Sequence, residues 1–353
     1  MGVSAAISSW LAAAFVVLTG ISGCASDARW DVDLHCAKCD VVAHRPFEVV
    51  SNLEQLPVPE ALEPIEEVFW AAYFEHVLQL GAWGAEEGKS TKMDSLADAF
   101  DVFCRHESTR LALAGIDSIV VPELAHAEHS LGEAFARFSV HFPEATTPEV
   151  FWMYSGFNFA GYPMDEMMGV GLEFYLGSDH PAIVGLPRSI YPRYAQRRMK
   201  PEHLVSDALR GWLLVHFQRD YHPGRSTTAA EILYWGKILF ITSAIAPDLS
   251  LEQILNWDET ELQWAKSHEL AVWIQLRKKE ILYSKRAADT QRWVRDAPFT
   301  AAGAVPQESP DRLGWYMGLR WVEDYMSHNP SASLQELLDE KEVLPFLQSY
   351  RPL

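Results

Sequence analysis

"MGVGLEFYLG", Met168–Gly177, places a single acid, Glu173, near the centre of an apolar run. Read as a helix, this is how a zinc peptidase holds its general base. Its histidine ligands then lie one position before and three positions after the glutamate. Here those two positions are Leu172 and Leu176. Hydrocarbon side chains hold no metal, so the run predicts a zincin-like helix from which the metal chemistry is missing.

The neighbouring segments set that helix in context. "EVFWMYSGFNFAGYP", just before it, is aromatic, β-branched at Val150 and broken by glycines, which predicts a strand or short hairpin over Val150–Tyr162. Elsewhere three- and four-residue apolar spacing dominates, as in Val68, Phe69, Ala72, Tyr73, His76 and Leu80. Helix starts are signalled by capping-box spacing at Thr228/Glu231, Ser250/Gln253 and Ser333/Glu336, with Asp258/Glu261 as a looser relative. "IAPDLS" and "PQESPDR" read as linkers, and no internal repeat interrupts the pattern. The expected fold is mainly α with a small β-sheet (α+β), a zincin-like helical domain lacking a metal site.

Two further stretches resemble metal-binding helices and fall short. "HELAV" has His268 and Glu269, but Val272 occupies the second ligand position. "HAEH" sets His126 and His129 three apart with Glu128 misplaced. Two imidazoles without a third ligand bind metal weakly, so both read as solvated or core-edge histidines. No metal and no cofactor is expected.

The 353 residues are 48% hydrophobic, 12% aromatic and 22% charged, a globular composition long enough for a large core. A formal charge of −19 argues against nucleic acid or an anionic lipid surface as the main partner. Thirteen tryptophans and twelve tyrosines would suit a peptide or glycan groove, yet at helical spacing they more often fill a core. In "RLGWYMGLRWVEDYM" the residues Trp315, Leu319, Val322 and Met326 share one face, which suggests packing.

The amino-terminal region speaks of location. "WLAAAFVVLTGIS", Trp10–Ser22, has the length of a signal-peptide core and runs into "ISGC", ending at Cys24. An apolar residue, two small ones and a cysteine look like a bacterial lipobox, although no Lys or Arg precedes Trp10. Cys24 is therefore the expected lipid-attachment site, and two or more acyl chains there would anchor the protein stably. Ala25 after it favours the outer membrane, facing the periplasm. The implied organisation is a signal peptide over 1–23, a lipidated extended segment and linker over 24–58, and one mostly helical domain over 59–353. In an oxidising envelope Cys36 and Cys39 of "HCAKC" could close a disulfide. A half zinc site with His35 and His44 lacks a downstream ligand pair, and Cys104 reads as a small core residue.

Several blocks carry a more specific signal. "MGVGLEFYLGSDHP", "YPRYAQRRMKPEHL", "EILYWGKILF", "LQWAKSHELAVW", "DAPFT" and "RLGWYMGLRWVEDYM", with the closing "SYRP", occur in the order and approximate spacing of the gliding motility lipoprotein family GldB. The chain resembles that family from about Pro59 to Pro352 and at the lipobox. The resemblance implies a role in bacterial gliding and the associated type IX secretion apparatus, with no enzymatic activity established. A more distant resemblance to predicted zinc peptidases implies a third ligand position in "EILYWGKILF", where Trp235 precedes Gly236. Glu173 would then survive without its metal and, if buried, would need a partner such as Arg197, Arg198 or Lys237. These residues, with Tyr175 and Glu269, form the expected binding cleft. Expected partners are the membrane, through the lipid, and envelope proteins of the motility or secretion machinery. The alternatives are an envelope peptidase or hydrolase with an unrecognised metal site, and a solute-binding lipoprotein.

Overall fold

The computed structural model describes residues 28–30, 32, 34, 39–53, 67–81, 90–164, 166–218, 226–296, 305 and 309–353. Its described part is mostly helical around one small sheet, the α+β architecture that the sequence predicts. The sheet has four strands, β1 (Ala43–His44), β2 (Glu149–Met153), β3 (Gly161–Pro163) and β4 (Met167–Gly171), in the order β1-β2-β4-β3. β2 lies parallel to both β1 and β4, with Phe151 opposite Gly169, and β3 closes the edge antiparallel to β4.

The opening stretch is therefore not the helix its apolar run suggests. Met167–Gly171 is a buried strand, and Leu172–Tyr175 is a single 3-10 turn. A short, wholly apolar run has no periodicity by which helix and strand can be told apart. Packing decides it here. A Cβ at Gly171 would stand 2.3 Å from the Phe159 carbonyl oxygen, so glycine lets β4 pass close beneath the preceding loop. Val150–Tyr162 does begin and end near strands, but they form no hairpin, because β4 inserts between β2 and β3.

The segment read as a linker, 24–58, contributes structure over its described part. β1 joins the sheet, and α1 (Pro46–Asn52) buries Phe47 and Val50. Proline at the first helical position suits α1, since the amide it lacks would have had no partner in the helix. Trp30 packs edge-on against His141 and Phe240. The chain beside β1 is seated on α5 (Val121–His141), where a Cβ at Gly132 would lie 1.8 Å from the Cys39 carbonyl oxygen.

Around the sheet stand α2 (Glu67–Ala72), α3 (Ser90–Arg105), α4 (Glu107–Gly115) and α5. The second half is built from α6 (Leu204–His216), α7 (Thr228–Ile245), α8 (Leu251–Leu255), α9 (Glu259–Leu276), α10 (Ala287–Val294) and α11 (Leu313–His328). The short helices α12 (Leu334–Asp339) and α13 (Leu344–Ser349) follow. α7 is long and apolar enough to cross a membrane by length and composition, but most of it is buried inside the fold. Its closest partner is α11. A Cβ at Gly236 would lie 2.2 Å from the Gly318 carbonyl, and one at Gly318 would lie 2.1 Å from the Ile232 carbonyl oxygen. Trp235 and Trp315 stack at 4.0 Å beside this contact.

The capping boxes at Ser250/Gln253, Asp258/Glu261 and Ser333/Glu336 form in full. At the start of α7 the cap is Thr227, one residue earlier than its sequence spacing suggests. Thr228 turns inward to bond the Thr290 hydroxyl at 2.9 Å.

Candidate functional site

Glu173 is fully buried in the 3-10 turn that ends β4. Its Oε1 accepts from the Ser155 amide at 2.8 Å, the Phe157 amide at 2.9 Å and the Ser155 hydroxyl. The Ser155 oxygen in turn accepts the Phe159 amide at 3.1 Å. The carboxyl thus fastens the loop after β2, where Gly156 and Phe157 both take left-handed backbone angles, φ +68° and +62°. That conformation costs a phenylalanine of order 1–3 kcal/mol. It is held from two sides, because the Phe157 carbonyl also accepts the Tyr191 hydroxyl.

Burial pushes the Glu173 carboxyl up to about 7, against the downward pull of the Ser155 and Phe157 donors. Its Oε2 has no hydrogen-bond partner. The expected cationic partners, Arg197, Arg198 and Lys237, are engaged elsewhere or exposed, and backbone amides with one hydroxyl take their place. Above the loop lies an apolar cavity of about 600 Å³ lined by Phe103, Tyr154, Phe157, Ile190 and Tyr191, which Glu173 does not line. Tyr175, in the same turn, is buried in the core.

Glu269 is a second buried acid with a fastening role. It accepts the Tyr316 hydroxyl at 2.5 Å, the Tyr350 hydroxyl at 2.8 Å and the Leu353 amide at 3.3 Å, and the Arg320 guanidinium stands 3.5 Å away. It thereby ties residues 350–353 to α9 and α11. The Lys237 ammonium donates to the Glu340 carbonyl at 2.5 Å, and lies 5.2 Å from the Phe346 ring centroid. Lys237 and Glu269 therefore support the helical half and do not share a cleft with Glu173.

Arg197 and Arg198 do come together, at a polar cavity of about 460 Å³ between the 191–204 segment, the start of α9 and Ser309–Asp311. Arg198 makes a two-pronged bond to Asp311 at 2.8 and 2.5 Å and reaches Asp296 at 3.1 Å. Arg312, in left-handed backbone at φ +53°, bonds Asp311 at 3.2 Å and the Asn256 carbonyl at 2.9 Å, and covers the Trp315 ring. Burial and the nearby Arg198 charge lower the Arg312 guanidinium to about 10, so it stays charged at neutral pH. Burial also pushes the His203 imidazole down to about 4, leaving it neutral. "PQESPDR", read as a linker, thus delivers the buried Asp311 and Arg312.

His203, Asn256, Trp257, Ser309 and Asp311 of this cavity are missed by sequence reasoning. The available signal was Asn256, whose left-handed φ of +51° ends α8 just before the Asp258 capping box. Asparagine tolerates that conformation better than most residues.

The remaining candidates separate. His126 and His129 flank a surface cavity of about 680 Å³, with His129 3.6 Å from Glu133. His268 stacks on Trp264 at 4.2 Å and bonds its carbonyl at 2.8 Å. His44 meets Glu149 at 2.8 Å, and Cys104 is a buried core residue. Among the described residues, no group of three His, Cys, Asp or Glu side chains is placed to hold a metal ion. Cys24, Cys36 and His35 lie outside the described residues, and with them the lipid-attachment and disulfide expectations.

No curated protein and no solved structure matches the chain. A family model described as gliding motility protein GldB matches residues 28–352, which takes in the β1 and α1 segment as well as the helical body. The chain belongs to the GldB family of gliding motility proteins.

Proposed function

We propose that this protein is a lipid-anchored component of the cell envelope, at the periplasmic face of the outer membrane. There it serves gliding motility and the associated type IX secretion machinery by binding, without catalysis. The observation that carries the non-catalytic reading is the state of Glu173. A general base must reach a substrate or a bound water. Glu173 is sealed from solvent, spends one oxygen on three donors of its own loop and does not line the neighbouring cavity. The lipobox ending at Cys24 supports the anchor.

The test is complementation in a gliding bacterium whose own GldB-family gene is deleted. The wild-type chain restores gliding, incorporates labelled palmitate and fractionates with membranes. Cys24→Ser loses the label and the membrane association together. Peptide hydrolysis by the purified protein, abolished in a folded Glu173→Gln variant, would contradict the proposal.

A further inference from the structure

The geometry points to the cavity beside Arg198 as a binding site for a neutral saccharide, an assignment that rests on the binding, non-catalytic reading above. Four side-chain atoms there are buried without a hydrogen-bond partner: His203 Nδ1, Asn256 Oδ1, Trp257 Nε1 and Ser309 Oγ. His203, Asn256 and Trp257 are themselves more than nine-tenths buried. An unsatisfied buried polar group costs roughly 1–3 kcal/mol, and since each of these four atoms is closed to a water-sized probe, a ligand in the cavity satisfies it only by a small side-chain turn that opens it to the cavity.

The chemistry of those atoms selects the ligand. The indole of Trp257 only donates, the amide oxygen of Asn256 only accepts, and the Ser309 hydroxyl does both. A sugar hydroxyl also does both and can serve each in turn. A fully ionised anion accepts only, and would leave Asn256 Oδ1 without a donor.

Charge argues the same way. Three cations, Arg197, Arg198 and Lys200, line the cavity with three carboxylates, Asp258, Glu261 and Asp311. The Arg198 fork, which would otherwise grasp a phosphate or carboxylate, is already filled by Asp311. Tyr194, Trp257 and Trp264 add aromatic surface against which the C–H faces of a sugar ring can pack. The volume of about 460 Å³ admits a small saccharide.

The test uses the full chain in a sugar-free detergent, titrated with maltose, cellobiose, N,N′-diacetylchitobiose and inorganic phosphate, and followed by tryptophan fluorescence and calorimetry. The site predicts saturable binding of at least one disaccharide, insensitive to added salt and not displaced by phosphate. Trp264→Ala weakens it about tenfold or more, equivalent to about 1.4 kcal/mol. Ser309→Ala weakens it a few-fold, and near-ultraviolet circular dichroism establishes that both variants are folded.

The assignment is overturned if none of the three disaccharides saturates up to millimolar concentration. It is equally overturned if phosphate displaces the sugar, or if both folded variants bind like the wild type. Absent sugar binding in a protein that still restores gliding contradicts this site alone. Hydrolysis of the bound sugar contradicts the non-catalytic reading and leaves the site in place.

Discussion

The Ser155 amide and the Ser155 hydroxyl both donate to one oxygen of Glu173, eighteen residues along the chain. A side chain at the end of β4 thereby fixes the turn that leaves β2. The parallel pair β2–β4 and its irregular connection are locked by the same acid.

Removing the Glu173 carboxyl is costly. Glu173→Ala strands the buried Ser155 amide and hydroxyl and the half-buried Phe157 amide and releases the left-handed backbone at Phe157, a loss of about 3 kcal/mol or more. Chemical denaturation at neutral pH measures it. A loss below about 1 kcal/mol would contradict the fastening role.

The same group imposes a pH dependence. In the unfolded chain Glu173 ionises near its ordinary value of 4.5, whereas in the folded protein burial raises it to about 7. Between those values the native state holds a proton that the unfolded state has lost, so stability falls as pH rises from about 4.5 through 7. The full difference is roughly 3 kcal/mol. Glu173→Gln keeps a neutral acceptor at the site, so the difference in unfolding free energy between wild type and variant should drift in the variant's favour over that window. A pH-independent difference contradicts the raised value.

Helix packing gives a contrast between glycines. Gly236→Ala drives a Cβ into the Gly318 backbone and should cost about 3 kcal/mol or more, or prevent folding. Gly211 in α6 has open space where a Cβ would stand, with nothing within 4 Å, so Gly211→Ala should stabilise by about 0.5–1 kcal/mol. Melting temperatures moving in opposite directions are the expected result.

The ion cluster at the polar cavity should break unevenly. Asp311→Ala leaves Arg198 and Arg312 short of a buried counter-charge and is expected to cost roughly 3–5 kcal/mol. Glu48→Ala removes only an exposed pair with Arg45, 3.8 Å away, and should shift stability by less than about 1 kcal/mol. Comparable losses in the two variants would contradict the view that Asp311 organises a buried cluster.

How far the sequence could be read follows from which interactions are local. The boxes at Ser250, Asp258 and Ser333 involve residues three apart, and all three form as their spacing predicts. The face of Trp315, Leu319, Val322 and Met326 is buried, as its periodicity indicates. The Met168–Gly177 run misled because its strand character comes from pairing Val150 with Met168 and Phe151 with Gly169, which local apolarity does not encode. The site was legible only at Arg197 and Arg198. The Arg198 partner Asp311 lies 113 residues away in a proline-containing stretch that looked like a linker. The amides that bond Glu173 leave no sequence signal, because every residue except proline carries one.

Glu173, in this reading, builds the fold and takes no part in chemistry. The most direct measurement is gliding by cells that carry Glu173→Gln as their sole copy, with the amount of folded variant in the envelope measured alongside. Wild-type gliding at wild-type protein level is the predicted result. Loss of gliding with the variant folded and present at that level would contradict it.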